Sequence, residues 1–360
     1  MRTLVSKALI FSVIICLVIL TTRSMMTPEV CFTTKNHWVR PEEANDYTPV
    51  WGHTRGIRIG IHPIAGPRGL IRIFTPYLGT GENKPYNFLA LEPIMKNSSK
   101  RGFSELEYSD LDQVKGKRFW SSNDSLADAP GFLTSPGVVK AIRGEETLTI
   151  FIFSEAFNNG AKVYVRVRFF KSRPFEFEIT SYIQAGSAAL DYLVISATMG
   201  NYARLRNLYL EDTIKSSLDL WPDYYGMGFT DHDTTFEEEM IHDRTGAAYF
   251  IAASNESDLS NATYNEGTNM HWRYEGEPAT QYWRKEHPIR SLTGLVNGRY
   301  VYWASQNKIP GGISFENFEL IEPFKNGSKY VFGVSPKEAK KFISQIKEPQ
   351  INDCDRNELD

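Results

Sequence analysis

The strict period-two alternation across residues 146–183 restricts the fold most. Leu148, Ile150 and Ile152 alternate with Thr147, Thr149 and Phe151. Val163, Val165, Val167 and Phe169 alternate with Lys162, Tyr164, Arg166 and Arg168. Phe175, Phe177 and Ile179 alternate with Glu176, Glu178 and Thr180. Successive side chains of a strand point to opposite faces, so each run specifies a strand with one apolar face. A helix, with 3.6 residues per turn, would scatter the same pattern around its circumference. Asn158-Asn159-Gly160 and Ser172-Arg173-Pro174 supply turn chemistry between the runs. The three strands therefore read as an antiparallel meander.

Charge fixes the register of the second hairpin. Phe169 opposite Phe177 brings Arg168 beside Glu178, so apolar face and charge pairing agree. Arg166, Arg168, Glu176 and Glu178 then read as an ion-paired, solvent-facing side of the sheet, each pair individually weak.

The rest of the chain points the same way. Ile57-Arg58-Ile59-Gly60-Ile61 and residues 70–78, 88–94 and 103–108 are short apolar runs separated by Gly, Pro, Asn and Lys. Such spacing predicts an antiparallel β-sandwich. One helix is signalled, by Ser335-Pro336-Lys337-Glu338. Ser335 reads as the cap, Pro336 as the first turn and Glu338 as the capping-box partner. Ala339, Phe342 and Ile343 give an apolar stripe that ends near Ile346. The expected fold is mainly β, one large antiparallel β-sandwich over 55–346 with one short C-terminal helix. A lead-in covers 24–54 and a polar tail 347–360. Residues 201–240 carry fewer strand patterns and read as loops across one mouth of the sandwich.

Arg2 and Lys7 precede an apolar run over 8–20, the shape of a secretory signal. That run is short for a bilayer span, and no clear small-x-small cleavage site follows it, so 1–23 is a signal peptide or an uncleaved signal anchor. The expected location is secreted or periplasmic, with membrane contact only through this segment. Beyond Cys16 within the run, Cys31 and Cys354 bracket the mature chain. An oxidising compartment would permit a disulfide between them, and two free thiols is the other reading. Asn-x-Ser/Thr triplets at Asn97, Asn123, Asn255, Asn261 and Asn326 are glycan acceptors in a eukaryotic host. Of the 360 residues, 41% are hydrophobic and 13% aromatic, enough for a sizeable core. A net charge of −3 without a long basic tract argues against nucleic acid as a partner.

Four clusters carry candidate chemistry. The first joins Gly66-Pro67-Arg68-Gly69 to Arg72, Arg101, Glu92, Glu105 and Glu107. Carboxylates inside strand patterns are costly unless paired, and Arg68, Arg72 and Arg101 are the partners at hand. The readings are a polar groove on a sheet and paired surface charge. The second contains Trp221, Asp223, Tyr225, Asp231-His232-Asp233, Glu237 and His242. Rings beside carboxylates suit saccharides, since a ring stacks on the apolar face of a sugar while polar groups take its hydroxyls. His232 and His242 titrate near neutrality and can serve as acid and base. They could instead hold a divalent cation with Asp231 or Asp233, although neither zincin nor EF-hand spacing is present. A polar loop with ordinary histidines is the bland alternative. No other cofactor is indicated.

In the third cluster, His271-Trp272-Arg273-Tyr274 is echoed by Tyr282-Trp283-Arg284. Trp272 and Trp283 offer platforms, and Arg273 and Arg284 offer forks for carboxylate or sulfate, which together would form an acidic-sugar subsite. Alternatively, both tryptophans are core and both arginines reach outwards. The fourth is Gly311-Gly312-Ile313-Ser314-Phe315-Glu316-Asn317-Phe318-Glu319-Leu320. Simple alternation places Glu316 on the face of Phe318 and Leu320, where burial would raise its pKa and fit it for acid–base work. A structural Glu bonded to Arg299 is the other reading. No Gly-x-Ser-x-Gly elbow occurs, so a serine hydrolase is not supported.

Residues 66–107 and 283–333 resemble a family of exported proteins of unassigned function. More distantly, Gly312-Ile313-Ser314-Phe315-Glu316 followed by Glu322-Pro323-Phe324 is similar to the end of galactose-mutarotase-like domains. That resemblance implies an antiparallel supersandwich binding sugars on one concave face, with a late-strand Glu as base and a His as acid. Glu316 matches by local context, and no histidine matches a family motif. The function expected is an exported carbohydrate-active protein acting on a poly- or oligosaccharide as lyase, hydrolase or epimerase. Glu316, His232, His242 and Tyr225 would be catalytic. Trp221, Asp223, Trp272, Arg273, Trp283, Arg284 and Arg68 would bind substrate. The alternative is a non-catalytic glycan-binding or cell-envelope interaction protein.

Overall fold

A computed structural model describes residues 37–348, apart from 45–47, 65, 83, 127–129, 132 and 304. The N-terminal apolar run, all three cysteines and the tail from 349 lie outside the described residues.

Two large antiparallel sheets form a β-sandwich. One has nine strands in the order Trp38–Val39, Val50–His53, Arg58–Gly60, Leu70–Phe74, Pro85–Met95, Leu190–Thr198, Ser314–Ile321, Thr293–Arg299 and Asp233–Phe236. The other runs Ile214–Ser216, Leu205–Tyr209, Ala248–Ser254, Thr280–Lys285, Ser328–Ser335, Glu176–Ile183, Val163–Phe170, Glu145–Ser154 and Phe119–Ser122. Ile241–His242 and Val138–Ile142 add to it as side pairings, making eleven strands. The first two strands of the nine-stranded sheet fall within the expected lead-in, and Trp51 there is fully buried. The sandwich therefore begins well before Arg55.

The meander forms as its alternation requires. Glu178 lies opposite Arg168, and the Phe169 and Phe177 rings meet at 5.5 Å. Leu148, Ile150, Val165, Val167 and Ile179 have no exposed surface. They pack with Ile59, Ile73, Leu89, Leu91, Ile195 and Phe318 of the other sheet in one core. Each such side chain contributes about 1.5–3 kcal/mol by leaving water. Glu178 is itself buried, gripped by Arg166, Arg168 and Lys329, so that face is less solvated than simple alternation implies.

The C-terminal helix spans Ala339–Lys347 and begins later than expected. Ser335 ends a strand instead, its hydroxyl accepting from Lys337 N. The ladder extends to that residue through the pairing of Ser335 with Thr280, and Glu338, three residues further on, stands at the N-cap position instead. Phe342, Ile343 and Ile346 nonetheless face Ile241, Tyr249, Ile251 and Tyr282 on the outer side of the eleven-stranded sheet. A second, single-turn helix, Ser217–Leu220, is capped by the Ser216 hydroxyl. Among the described residues no helix is long and apolar enough to cross a membrane.

The central strands of the nine-stranded sheet are buried on both faces. Leu89 and Leu91 join the inter-sheet core, while the intervening Ala90, with Phe88 and Leu70, joins a second cluster containing Met199, Tyr202, Trp272, Tyr302 and Ile309. Loops thus roof the face turned away from the other sheet. Gly69 lets one of them close: its φ is +71°, and a β-carbon would fall 1.9 Å from Ser104 O. Ser104 Oγ in turn donates to Gly69 O and accepts from Leu91 N.

Candidate functional site

Under that roof the first and fourth sequence clusters merge. Glu92 shares the outer face with Phe88 and Ala90 by strand parity. Glu319 shares it too, being paired with Ser196 between the core residues Ile195 and Ala197. Arg101 reaches in from the adjoining segment, where it bridges Ile94. It ion-pairs with Glu92 and donates through Nη2 to Glu319 Oε1 at 2.6 Å. Burial works against the charged guanidinium, and the Glu92 and Glu319 carboxylates outweigh it, so the Arg101 pKa lies above its ordinary value.

Glu316 arrives by a β-bulge. Asn297 pairs with Asn317 but Gly298 pairs with Phe315, so Glu316 is the extra residue on its strand. Phe315, Phe318 and Leu320 all join the inter-sheet core, which strict alternation forbids. The expectation that Glu316 shares a face with Phe318 and Leu320 is therefore corrected. Its charged neighbours are Arg299 and Glu105, groups on the roofed side.

Glu316 is fully buried, and neither carboxyl oxygen has a hydrogen-bond partner among the described residues. Arg299 Nη1 lies 3.8 Å from Oε1, an ion-pair distance rather than a hydrogen bond. Burial raises the Glu316 pKa to about 8, with Arg299 opposing and Glu105 reinforcing the shift. Burial likewise lifts Glu105 to about 7, and one of its oxygens is also unpartnered. Ser196 Oγ, Ser314 Oγ and Asn201 Oδ1, on elements lining the same face, also lack partners among the described residues. Four buried carboxyls thus share two guanidiniums, and neutrality is reached when two of the carboxyls hold protons.

The remaining candidates scatter. Tyr225 and Asp223 are exposed on the loop before His232, with Tyr225 edge-on to Tyr300 at 5.2 Å. Trp221 packs edge-on to Phe315 at the border of the core. His232 is exposed at the border of the nine-stranded sheet, with Nε2 3.3 Å from Asn297 Nδ2. His242 sits in the other sheet, 2.7 Å from Glu237. The two histidines thus contact different groups, Asn297 and Glu237, on different sheets. Among the described residues no group of three or more His, Cys, Asp or Glu is placed to hold a metal.

The two Trp-Arg pairs do not form one subsite. Trp283 is buried between the sheets, its Nε1 donating to Phe318 O at 3.0 Å. Arg284 points to the opposite side and pairs with Glu176 at 2.8 Å. Trp272 belongs to the roof cluster, edge-on to Phe88 and Tyr202. Arg273 donates to Thr268 O and lies over the Tyr264 ring. The echo in sequence breaks because one copy lies on a strand and the other around a short 3₁₀ turn, Met270–Trp272. Arg68 donates to Asp112 in a cleft considered below.

No protein-family model, curated protein or solved structure matches the chain. The site therefore has to be read from its own chemistry. Residues 92, 101 and 105 were visible as carboxylates and a guanidinium in strand-like sequence. Glu319 was missed, because simple alternation separates it from Glu316. The Gly298 opposite the bulge is the one sequence sign that the alternation breaks.

Proposed function

We propose that this chain is an exported carbohydrate-active protein that uses Glu316 and Glu105 as proton-transfer groups on the roofed face of the nine-stranded sheet. The observation that carries this reading is the unpartnered, fully buried Glu316 carboxyl beside a single loosely held guanidinium. A carboxylic acid that keeps its proton near neutrality can donate it to a glycosidic or ring oxygen. A neighbour titrating about one unit lower can take a proton back. Arg299 links this group to the surface, since its Nη2 donates to Met227 O and its guanidinium lies over the Phe229 ring. Release of Arg299 from residues 227–229 would open Glu316 to a substrate.

The test is incubation with a panel of neutral and acidic polysaccharides, reading both new reducing ends and the absorbance of unsaturated products. Turnover by the native protein, abolished in Glu316→Gln with a melting temperature at least as high, supports the reading. Absence of any product across the panel removes it. Glycan binding without chemistry is the second reading, and the closure of Glu316 to solvent favours it. Binding with no product would decide for it.

A further inference from the structure

A cleft of about 340 Å³ is lined in part by His62, Arg68, Asp112, Arg118, Trp120 and Thr134. Two of these residues, Arg68 and Trp120, carry donors that have no acceptor among the described residues. Arg68 Nη1 donates to Asp112 Oδ2 at 2.8 Å, but Arg68 Nε and Nη2 are buried without a partner among the described residues. The indole Nε1 of Trp120 is in the same condition. Guanidinium and indole nitrogens only donate, so the partner that would satisfy them is an acceptor. The surroundings are electropositive as well. Burial, followed by the charges of Arg68, Arg72 and Arg118, lowers the pKa of His62 below its ordinary value.

We propose that this cleft is the subsite for the oxyanionic group, a carboxylate or a sulfate ester, of an acidic saccharide. Arg68 supplies the fork once its side chain turns Nε and Nη2, which are shielded from solvent here, toward the cleft, because a planar guanidinium matches two oxygens of such a group at once. Asp112 is the internal anion that occupies one arm of Arg68 and opposes a second negative charge. The Trp120 ring is stacked on Phe153 at 5.9 Å and so contributes its N–H rather than its face. The saccharide part rests on the carbohydrate reading above, whereas the anion part rests only on the donors in the cleft.

Calorimetric titration of the full chain tests both parts. The probes are a galacturonate oligosaccharide, a sulfated disaccharide, a neutral saccharide of matched length, and sodium sulfate. The acidic saccharides should bind the native protein more tightly than the neutral saccharide of matched length. Arg68→Gln should weaken that binding about tenfold or more, as expected for a lost charged hydrogen-bond pair. Asp112→Asn keeps the oxygen that accepts from Val114 N and should strengthen it several-fold. The stronger of the two acidic ligands identifies the oxyanion. Acidic-saccharide affinity unchanged in both Arg68→Gln and Asp112→Asn overturns the subsite and leaves the carbohydrate reading standing. Arg68-dependent binding of sodium sulfate, with no saccharide bound, overturns the saccharide part and the carbohydrate reading with it.

Discussion

Arg299 faces Glu316 across 3.8 Å, the one ion pair that Glu316 makes among the described residues, and it is not a hydrogen bond. Arg299 spends its better contacts elsewhere, on the Met227 carbonyl and the Phe229 ring. A buried carboxyl so weakly compensated is stable chiefly in its protonated form, and this has measurable consequences.

The first concerns pH. The folded-state pKa of Glu316, about 8, is raised above the ordinary carboxyl value of the unfolded chain. The folded protein therefore keeps a proton that the unfolded chain releases over that interval. Its stabilising effect is complete below the unfolded value and is lost as pH rises through about 8. Full ionisation costs at most roughly 5 kcal/mol. Thermal melts from pH 5 to pH 9 should show native stability falling and Glu316→Gln largely removing the fall. Glu105, raised to about 7, contributes with the same sign. Parallel pH curves for native protein and Glu316→Gln would contradict the assignment.

Arg299→Ala should act in a pH-dependent way. At pH 5 Glu316 is neutral and needs no counter-charge, so the loss should be about 1–2 kcal/mol from the Met227 hydrogen bond and the Phe229 contact. At pH 9 the carboxylate is left alone in the interior, and the loss should be larger by several kcal/mol. Denaturant titrations at the two pH values measure the difference.

Arg101 poses the opposite case, since it is fully engaged by Glu92 and Glu319. Arg101→Met should cost about 3–5 kcal/mol by leaving two buried carboxyls without their cation. Adding Glu92→Gln and Glu319→Gln to that variant should recover much of the loss, because the uncompensated charges go too. Chemical denaturation of the single and triple variants tests this, and additive losses would rule out the coupling.

Trp283 and Trp272 should part company. Trp283→Phe shrinks a core ring that touches Phe332 and bonds to Phe318 O, so it should destabilise by about 1–3 kcal/mol. It should leave any saccharide affinity unchanged, because the ring lies between the sheets. Calorimetric melting combined with the saccharide titrations separates the two effects.

Five Asn-x-Ser/Thr triplets illustrate how far local sequence reaches. Asn97, Asn123, Asn255, Asn261 and Asn326 are all exposed, as turn-like surroundings suggested. Strand alternation was equally informative wherever the ladder is regular, down to the pairing of Arg168 with Glu178. It failed at Glu316, where a bulge adds one residue and reverses parity, and at Ser335, where a ladder runs past a capping signature. Both failures occur where another strand, distant in sequence, sets the conformation.

Sequence alone determined the sandwich class, the apolar faces of the meander and the short C-terminal helix, because period and turn chemistry are local properties of the chain. Only the tertiary structure decided that Glu92, Arg101, Glu105, Glu316 and Glu319 gather on one roofed face while Trp272 and Trp283 separate. Strand order and bulges come from pairings between residues as far apart in sequence as Glu176 and Gly333, and a carboxyl pKa depends on which charges and how little water those pairings leave beside it.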